Sequence, residues 1–477
     1  MQSVESNSPF SFEPYLLSPL DHAVIPLPMS VLISFELNSP IKAIRILDKG
    51  ISSLVHRLPF LTGDLVLTQV DKKNILKLQP PASLSTCPLL QVKHHPSEYL
   101  SHPKGTGNKF SFDALDEQNY IPIPLDIPPT QPQPILRFQA NVLQDGIVLS
   151  VIFHHLAIDA AGLQSILTYL AACCRAASSE NQSIKFFTNP EKEQKARNQL
   201  SRLANETDPV GYKGPYEKTS SESLDGPIAE NATQRLVFPA ERIERIRMAC
   251  ILLYSEQTAS DPSSSPIKLS SNDIVTVLIW LCAAQAEHPV PHQPSPSLVF
   301  LVNIRPVLQP PLPMTYIGNG VIAGETTSKR LTTPKPNKTP SHHGITKDTI
   351  SLILHLALKL RKSITSIDEA YVGRIAASAH QGLPSPFNPS NIVVSSLRSM
   401  PFYGVDFGPV LGHGRMLDVV NLRLKNFGWI LPAKAMGDGS RSAPWEVRMT
   451  MERGAMERFK AHEVVRWATG EDNLAKL

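Results

Sequence analysis

Residues 146–162 read Gly-Ile-Val-Leu-Ser-Val-Ile-Phe-His-His-Leu-Ala-Ile-Asp-Ala-Ala-Gly, and the rest of the chain can be interpreted outward from them. The largely apolar run 147–153 is rich in β-branched residues, which predicts a buried strand that ends at His154 and His155. Asp159 precedes a run with helical spacing and is placed to cap that helix. The apolar positions of the helix are Leu163, Ile166, Leu167, Leu170 and Cys174. The pattern predicts a strand that delivers two titratable rings to its end.

The flanking segments predict a mixed α/β protein. Gln-Asp-Gly at 144–146 is a hairpin signal, so segment 135–143 should pair antiparallel with the strand. Strand and helix patterns alternate on both sides of a polar stretch at 178–233. We therefore expect an α/β fold of two domains. The expected boundaries are an N-terminal domain at 1–177, a crossover linker at 178–233 and a C-terminal domain at 234–477.

Composition excludes several classes of protein. The 477 residues carry 46 Lys and Arg against 42 Asp and Glu, and this mild excess of positive charge does not indicate a nucleic-acid partner. Five cysteines without a regular spacing favour a reducing compartment. The first residues lack the pattern of a secretory signal, and the longest apolar stretch, 274–284, is shorter than the roughly 20 residues of a membrane span. We expect a soluble, cytoplasmic protein.

The His154-His155 pair, with Asp159 and Gly162 at fixed distances, carries the functional signal. The sequence has no dinucleotide fingerprint, Walker loop, Cys-x-x-Cys or Gly-x-Ser-x-Gly motif. A histidine at the mouth of a buried strand suits acid–base chemistry. A metal site is the competing interpretation, because His and Asp are both metal ligands. A complete site needs three or four ligands, however, and no third partner stands out.

Several landmarks in this order resemble the BAHD-type acyltransferases, which depend on coenzyme A, and their fungal branch of trichothecene O-acetyltransferases. The resemblance covers nearly the whole chain. The landmarks are Leu17-Ser18-Pro19-Leu20-Asp21, His155-x-x-x-Asp159 with Gly162, Asn303-Ile304-Arg305, Tyr316-Ile317-Gly318-Asn319, Ser395-Ser396-Leu397, Asp406-Phe407-Gly408 and the segment 446–459. Leu397 and Pro409-Val410 depart from the family, which usually has Trp and Trp-Gly at those places.

This resemblance implies a fold and a reaction. The fold would be two similar domains, each like chloramphenicol acetyltransferase, joined by the long crossover with an active-site channel between them. His155 would lie midway along the channel as the general base. Acyl-CoA, most simply acetyl-CoA, would enter from one face as a co-substrate, and a hydroxylated secondary metabolite would enter from the other. No permanently bound cofactor, nucleic acid, membrane or second subunit is implied.

The resemblance also assigns roles to single residues. Asp159 would form an ion pair with Arg305 across the domain seam, although it could simply cap the helix. Ser395 would donate a hydrogen bond to the tetrahedral oxyanion, or bond to backbone at a strand end. Gly162 would allow close backbone packing near the bound thioester arm.

Two further pairs complete the expected site. Lys268 and Ser270 would contact the phosphates of coenzyme A, although a solvated lysine and a helix cap are equally consistent with their positions. Asp406 and Gly408 belong to the Asp-Phe-Gly block, which is mainly architectural in the family.

Two other functions remain open. The first is a condensation-type transferase that uses a carrier-protein thioester and forms amides or esters, although that group places Gly directly after the aspartate, where this chain has Ala160. The second is a non-catalytic relative that keeps the fold and binds a small molecule.

Overall fold

The computed structural model shows a protein built on two large β-sheets, one of five strands and one of six. It describes residues 11–70, 73–85, 87–101, 108–112, 117–179, 184–209, 231–260, 266–287, 296–329, 331, 345–382, 391–420, 424–434 and 443–471. Within these residues no helix combines the length and the apolar character that crossing a bilayer requires.

The described strands, in chain order, are β1 Tyr15–Leu16, β2 Pro28–Glu36, β3 Asp64–Val70, β4 Lys73–Gln79, β5 Leu90–His94, β6 Glu98–Tyr99, β7 Asn108–Lys109, β8 Gln133–Pro134, β9 Leu136–Leu143, β10 Gly146–His154, β11 Asn231–Phe238, β12 Leu298–Asn303, β13 Val321–Thr326, β14 Ile392–Ser396, β15 Met416–Val419, β16 Phe427–Ile430 and β17 Trp445–Glu452. The described α-helices are α1 Pro40–Arg57, α2 Glu117–Tyr120, α3 Ala160–Ser178, α4 Pro190–Glu206, α5 Ala240–Thr258, α6 Ser271–Glu287, α7 Lys347–Thr365, α8 Glu369–His380, α9 Arg453–Ala461 and α10 Glu463–Thr469.

The first large sheet has five strands in the order β15-β2-β10-β9-β5. The expected hairpin is confirmed, because β9 and β10 pair antiparallel with Gly146 opposite Leu143. All nine residues of β10 are buried because the strand is covered on both faces. Ile147, Leu149, Val151 and Phe153 enter one apolar cluster, and Val148 and Ile152 enter another. Burial of both faces explains why this strand has no polar alternation.

The second large sheet has six strands in the order β11-β17-β16-β14-β12-β13. Its core includes α6, whose residues from Asp273 to Ala284 are all buried. The longest apolar stretch of the sequence is therefore a core helix. In this sheet β14 runs parallel to both β12 and β16. Ser395 is the second-last residue of β14 and pairs with Trp429 of β16.

The two halves of the chain share elements across their seam. Strand β15 comes from the C-terminal half but pairs antiparallel with β2 of the first sheet. Its Asp418 is buried and accepts hydrogen bonds from Arg235 of β11 (3.0 Å) and Arg448 of β17 (2.8 Å). The charge of Asp418 is thus compensated by two guanidinium groups of the other sheet, which couples the sheets to each other.

The crossover contains regular structure that its polar composition concealed. The helix α4 occupies 190–206, with Asn189 as its N-cap, and β11 begins at Asn231, inside the range expected to be linker. Residues 180–183 and 210–230 of the crossover lie outside the described residues. The division into 1–177, 178–233 and 234–477 stays a prediction.

Candidate active site

His155 is the first residue after β10 and is held there by the backbone. Its N–H donates to the carbonyl of Leu27 at 3.1 Å, which continues the pairing between β10 and the segment before β2. The preceding residue, His154, is buried; its Nε2 lies 2.6 Å from Oε1 of Gln133, and its Nδ1 accepts from the N–H of Leu156. Burial, followed by the nearby His155, lowers the pKa of His154 to about 3, so this ring is a neutral packed neighbour.

His155 borders two cavities that lie between the sheets. Counting all space between atoms, including space open to solvent, the larger encloses about 770 Å³ and the smaller about 460 Å³. The side chains that line both are Met29, His155, Leu301, Val321 and Trp429. The smaller cavity is otherwise lined by apolar side chains, whereas the larger also includes polar groups of Asn303, Ser395 and Ser396. His155 therefore borders both cavities.

Asp159 caps α3 and also joins the two halves of the chain. Its Oδ1 accepts from the N–H of Gly162 at 2.8 Å. The guanidinium of Arg305 donates to both carboxylate oxygens at 2.8 and 2.9 Å, and the N–H of Gly320 donates to Oδ2 at 2.9 Å. Asp159 is 2% exposed and Arg305 is fully buried. The cap and the ion pair that the sequence left as alternatives are thus both present in one carboxylate.

Arg305 is held in turn by the segment that follows it. Its Nη2 donates to the carbonyls of Tyr316 and Gly318 at 2.9 Å each, and its backbone N–H donates to Oδ1 of Asn303. Gly320 has to be glycine here, because a Cβ would lie 2.6 Å from Nη1 of Arg305. The guanidinium therefore links the 316–320 turn to the loop that carries His155.

Asp21 and Asn319 also support His155, and the motif reading assigned neither of them a role. Asn319 is fully buried, and its Nδ2 donates to the carbonyl of His155 at 2.7 Å and to Oδ1 of Asp21 at 2.9 Å. Asp21 lies in the 3-10 helix Pro19–Ala23 and also accepts from the N–H of Ser18 at 2.7 Å. Asp21 and Asn319 belong to two of the segments that resemble the family, and this resemblance is the only signal for them in the sequence.

Ser395 lies near the end of β14 and is 5% exposed. It lines the larger cavity together with His155, so both residues border one chamber. The neighbouring Ser396 lines the same chamber, and its hydroxyl donates to Oδ1 of Asn272 at 2.6 Å.

Gly162 makes a close backbone contact, as expected. A Cβ on Gly162 would lie 2.0 Å from the carbonyl oxygen of Ile317. The close approach that excludes a side chain is thus made to backbone of the second half. Gly162 thus lets the two halves meet at the seam, and its packing near the bound thioester arm stays a prediction.

The two residues expected at coenzyme A lie at the start of α6. Ser270 and Asp273 form a reciprocal cap, in which the Asp273 N–H donates to Oγ of Ser270 and the Ser270 N–H donates to the Asp273 carboxylate. Lys268 is exposed. Neither Lys268 nor Ser270 is among the residues that line the two cavities at His155.

The Asp-Phe-Gly block packs against the end of α3. Oδ1 of Asp406 accepts from the N–H of Gly408 at 2.8 Å, and the Asp406 carbonyl accepts from Arg175. Gly408 adopts a φ of +96°, a region that favours glycine. Phe407 is buried against Phe35 with ring centroids 5.2 Å apart. These contacts are architectural, and none of the block lines the cavities.

Electrostatics favour the neutral form of His155. Burial lowers the pKa of His155, whereas its own backbone carbonyl, Asp159, Asn319 and Asp21 raise it by smaller amounts. A neutral imidazole can accept a proton, which is what a general base requires. Among the described residues, no three His, Cys, Asp or Glu side chains come together in a way that could hold a metal ion.

Comparison with known proteins places this geometry in a family. The sequence profile of the Transferase family matches residues 113–464, and that of the Trichothecene 3-O-acetyltransferase-like N-terminal domain matches residues 31–174. The chain is 30% identical to communesin N16 acyltransferase cnsK of Penicillium expansum, over 96% of this chain and 98% of the relative. It is 28% identical to O-acetyltransferase pyr7 of Aspergillus fumigatus, over 97% and 94%.

A solved structure shares the fold. TRI101 of F. sporotrichioides, complexed with Coenzyme A and T-2, superposes with a TM-score of 0.67 at 18% identity, over 95% of this chain and 98% of that one. The expected two-domain α/β architecture is confirmed by this similarity.

Proposed function

This chain belongs to the Transferase family, with an N-terminal domain of the trichothecene 3-O-acetyltransferase type, and we propose that it transfers an acyl group from acyl-CoA to a hydroxyl group of a secondary metabolite. The observation that carries the proposal is the position of His155, which borders both cavities between the sheets. A base at that junction can meet two substrates that arrive from different chambers. Acyl-CoA is a co-substrate in this reaction, and no resident cofactor takes part.

His155 acts as the general base. The acceptor hydroxyl attacks the thioester carbonyl carbon, which forms the C–O bond, and its proton passes to Nε2 of His155. Collapse of the tetrahedral intermediate breaks the C–S bond, and the departing thiolate receives the proton from the imidazolium. Such proton transfer typically contributes about 10²–10⁴-fold to the rate. The lowered pKa of His155 supports this role, because it keeps the ring neutral at physiological pH.

Ser395 stabilises the oxyanion. Its place on the wall of the larger cavity supports this assignment, since His155 borders the same chamber. The tetrahedral intermediate carries a full negative charge on the former carbonyl oxygen, and one donor aimed at that charge is worth roughly 10²–10³-fold in rate.

Asp159 and Arg305 brace the site and take no part in proton transfer. The carboxylate of Asp159 is saturated by four N–H donors, which leaves little capacity to accept a proton from substrate. The pair fixes the loop that follows His155 against the second half of the chain. Bidentate arginine–carboxylate geometry suits such bracing because it restricts orientation as well as distance.

The acceptor is an uncharged and mostly apolar molecule. The cavity linings support this class, since apolar side chains such as Met29, Leu301 and Trp429 predominate and the charged groups present, Asp159 and Arg305, are paired with each other. Acetyl is the proposed acyl group, because the relative pyr7 is named an O-acetyltransferase. The coenzyme A phosphates are assigned to the start of α6, where Lys268 and Ser270 lie. A monomeric state and a cytoplasmic location complete the proposal.

The test is release of free coenzyme A thiol. The purified protein is incubated with acetyl-, malonyl- or longer acyl-CoA and a panel of hydroxylated terpenoids, alkaloids and polyketides, with amine-bearing acceptors as a separate arm. We expect acceptor-dependent thiol release that His155→Ala lowers by about two to four orders of magnitude, with an unchanged circular-dichroism spectrum. Release only with amines would contradict the O-acyl assignment. Binding without release, or near-normal turnover by His155→Ala, would contradict transfer by this base. Size-exclusion chromatography of the same sample tests the monomeric state.

A further inference from the structure

Asn319 is a fully buried amide beside His155 that the reaction described above does not use. Both hydrogens of its amide have acceptors, because Nδ2 donates to the carbonyl of His155 and to Oδ1 of Asp21. Its backbone N–H donates to the same Asp21 oxygen at 3.2 Å. A flip of the side-chain amide would place its oxygen against these two acceptors, so the orientation of the amide is fixed. Oδ1 is therefore free to accept from another group.

Two buried polar atoms in this site have no hydrogen-bond partner in the described part of the chain. They are Oδ1 of Asn319 and Nδ1 of His155. Buried polar groups are normally paired, and an unpaired one calls for an explanation. The amide oxygen is an acceptor, and an imidazole nitrogen that carries a proton is a donor. The two atoms are therefore complementary. The carbonyl of His155 accepts from Nδ2 of Asn319, and both this carbonyl and Asn319 interact with the ring and raise the pKa of His155.

We propose that Asn319 is a positioning residue that holds the proton of neutral His155 on Nδ1 through its Oδ1, and so leaves Nε2 as the base toward the cavities. The assignment rests on the proposed function, because it deepens the role of His155 in that reaction. Hydrogen bonds that serve catalysis are often long without substrate and tighten in the substrate complex. Once Nε2 has taken the acceptor's proton, the bond from Nδ1 to Oδ1 is charge-assisted and becomes stronger. Asn319 thus stabilises the imidazolium that forms during attack.

The groups around His155 determine in which direction the loss of Asn319 shifts the pKa of the His155 ring. Asp21 approaches from the 3-10 helix before β2 and Asp159 from the cap of α3, and the charge of Asp159 is balanced by Arg305. His154, the neighbour on β10, is neutral. Burial lowers the pKa of His155, and Asn319 is one of the groups that oppose this effect. Removing the Asn319 amide therefore lowers the pKa of His155 further, which moves the acid limb of the rate profile to lower pH.

The first experiment compares pH profiles of kcat for the wild type, Asn319→Ala and Asn141→Ala. Asn141 is a matched control, since it is also a fully buried amide with several hydrogen bonds but lies on β9, outside the cavities. We expect Asn319→Ala to lower kcat about 10- to 100-fold, the range that one hydrogen bond to a charged group supplies, and to shift the acid limb to lower pH. Asn141→Ala should lower thermal stability but leave the acid limb of the kcat profile at its wild-type pH. An unmoved limb in Asn319→Ala would overturn the proposal.

The second experiment needs neither a variant nor turnover. The ¹⁵N chemical shifts of the His155 ring in the wild-type protein, without substrates, report which nitrogen carries the proton. The proposal requires the Nδ1–H tautomer, and an Nε2–H tautomer would overturn it even if Asn319→Ala failed to fold. If the protein transferred no acyl group, the Nδ1–H result would still stand. Failure of the proposed function and failure of this inference are therefore distinguishable.

Discussion

The substitution Asp159→Asn removes a buried charge with almost no change in side-chain volume. In the wild type the carboxylate accepts four N–H bonds, two from Arg305 and one each from Gly162 and Gly320. An amide offers one oxygen and brings two N–H groups of its own, so it cannot serve donors on both sides. The guanidinium of Arg305, which is fully buried, would lose the carboxylate that it binds directly.

The expected loss of stability is large. Breaking a buried ion pair by removing one partner costs about 3–5 kcal/mol, because the remaining charge is uncompensated. Typical domains have a free energy of unfolding of only roughly 5–15 kcal/mol. Asp159→Asn should therefore lower the urea midpoint markedly, and it should lower kcat as well, because the loop after His155 loses its attachment to the second half.

Equilibrium unfolding in urea, followed by tryptophan fluorescence and circular dichroism, measures the effect. The control is Glu244→Gln, which removes a carboxylate from the ion pair with Arg247 on the outside of α5, where the cost should be about 0–1 kcal/mol. In a double-mutant cycle with Arg305→Met, the double variant should lose less stability than the sum of the two single variants. A fall in kcat with an unchanged urea midpoint would show that Asp159 acts in the chemistry, and the bracing role would be wrong.

Four further outcomes follow from the same geometry. The kcat/KM for the acceptor should be constant above pH ~6.5, the ordinary pKa of histidine. It should fall only at lower pH, since the lowered pKa of His155 keeps the base neutral down to more acidic conditions. A kcat/KM that already declines as the pH is lowered towards ~7 would contradict this base. Ser395→Ala should lower kcat roughly 10²–10³-fold, whereas Ser396→Ala, on the same cavity wall, should have a much smaller effect; equal effects would argue against an oxyanion donor at Ser395. Gly162→Ala should cost about 1–3 kcal/mol in urea unfolding, because its Cβ would meet the carbonyl of Ile317 at 2.0 Å; a neutral result would contradict the tight seam. Dialysis against a chelator should leave thiol release unchanged, because His155 activates the hydroxyl without a metal; loss of activity that zinc restores would revive the metal interpretation.

Local pattern was sufficient for the elements that carry the site. The strand β10, its hairpin with β9 and the helix α3 follow from periodicity and from one Asp-Gly turn, because these signals are consecutive in the chain, from Leu136 to Ser178. The same pattern placed His155 at a strand end and Asp159 at a helix cap. Spacing alone did not identify Arg305 as the partner of Asp159, which is 146 residues away; that pairing came from the resemblance to a family.

The polar composition of the crossover 178–233 gave no indication of the helix α4 within it. The crossover was expected to be a linker because it is rich in charged and small residues, yet α4 lies within it. Its Glu193 is buried and accepts from the N–H of Ile317, so one face of this hydrophilic helix belongs to the seam. Two of the five buried residues of α4, Glu193 and Arg197, are charged, so its buried face cannot be recognised from apolar residues alone.

The sequence by itself determined the strand, the histidine at its end and the cap that follows, since each depends on residues close together in the chain. Only the tertiary structure decided what surrounds them. Asn319 meets Asp21 across 298 residues, β15 completes a sheet of the other half, and Gly162 packs on the backbone of Ile317. Such contacts depend on how the two halves pack against each other, and the periodicity within either half carries no information about that packing.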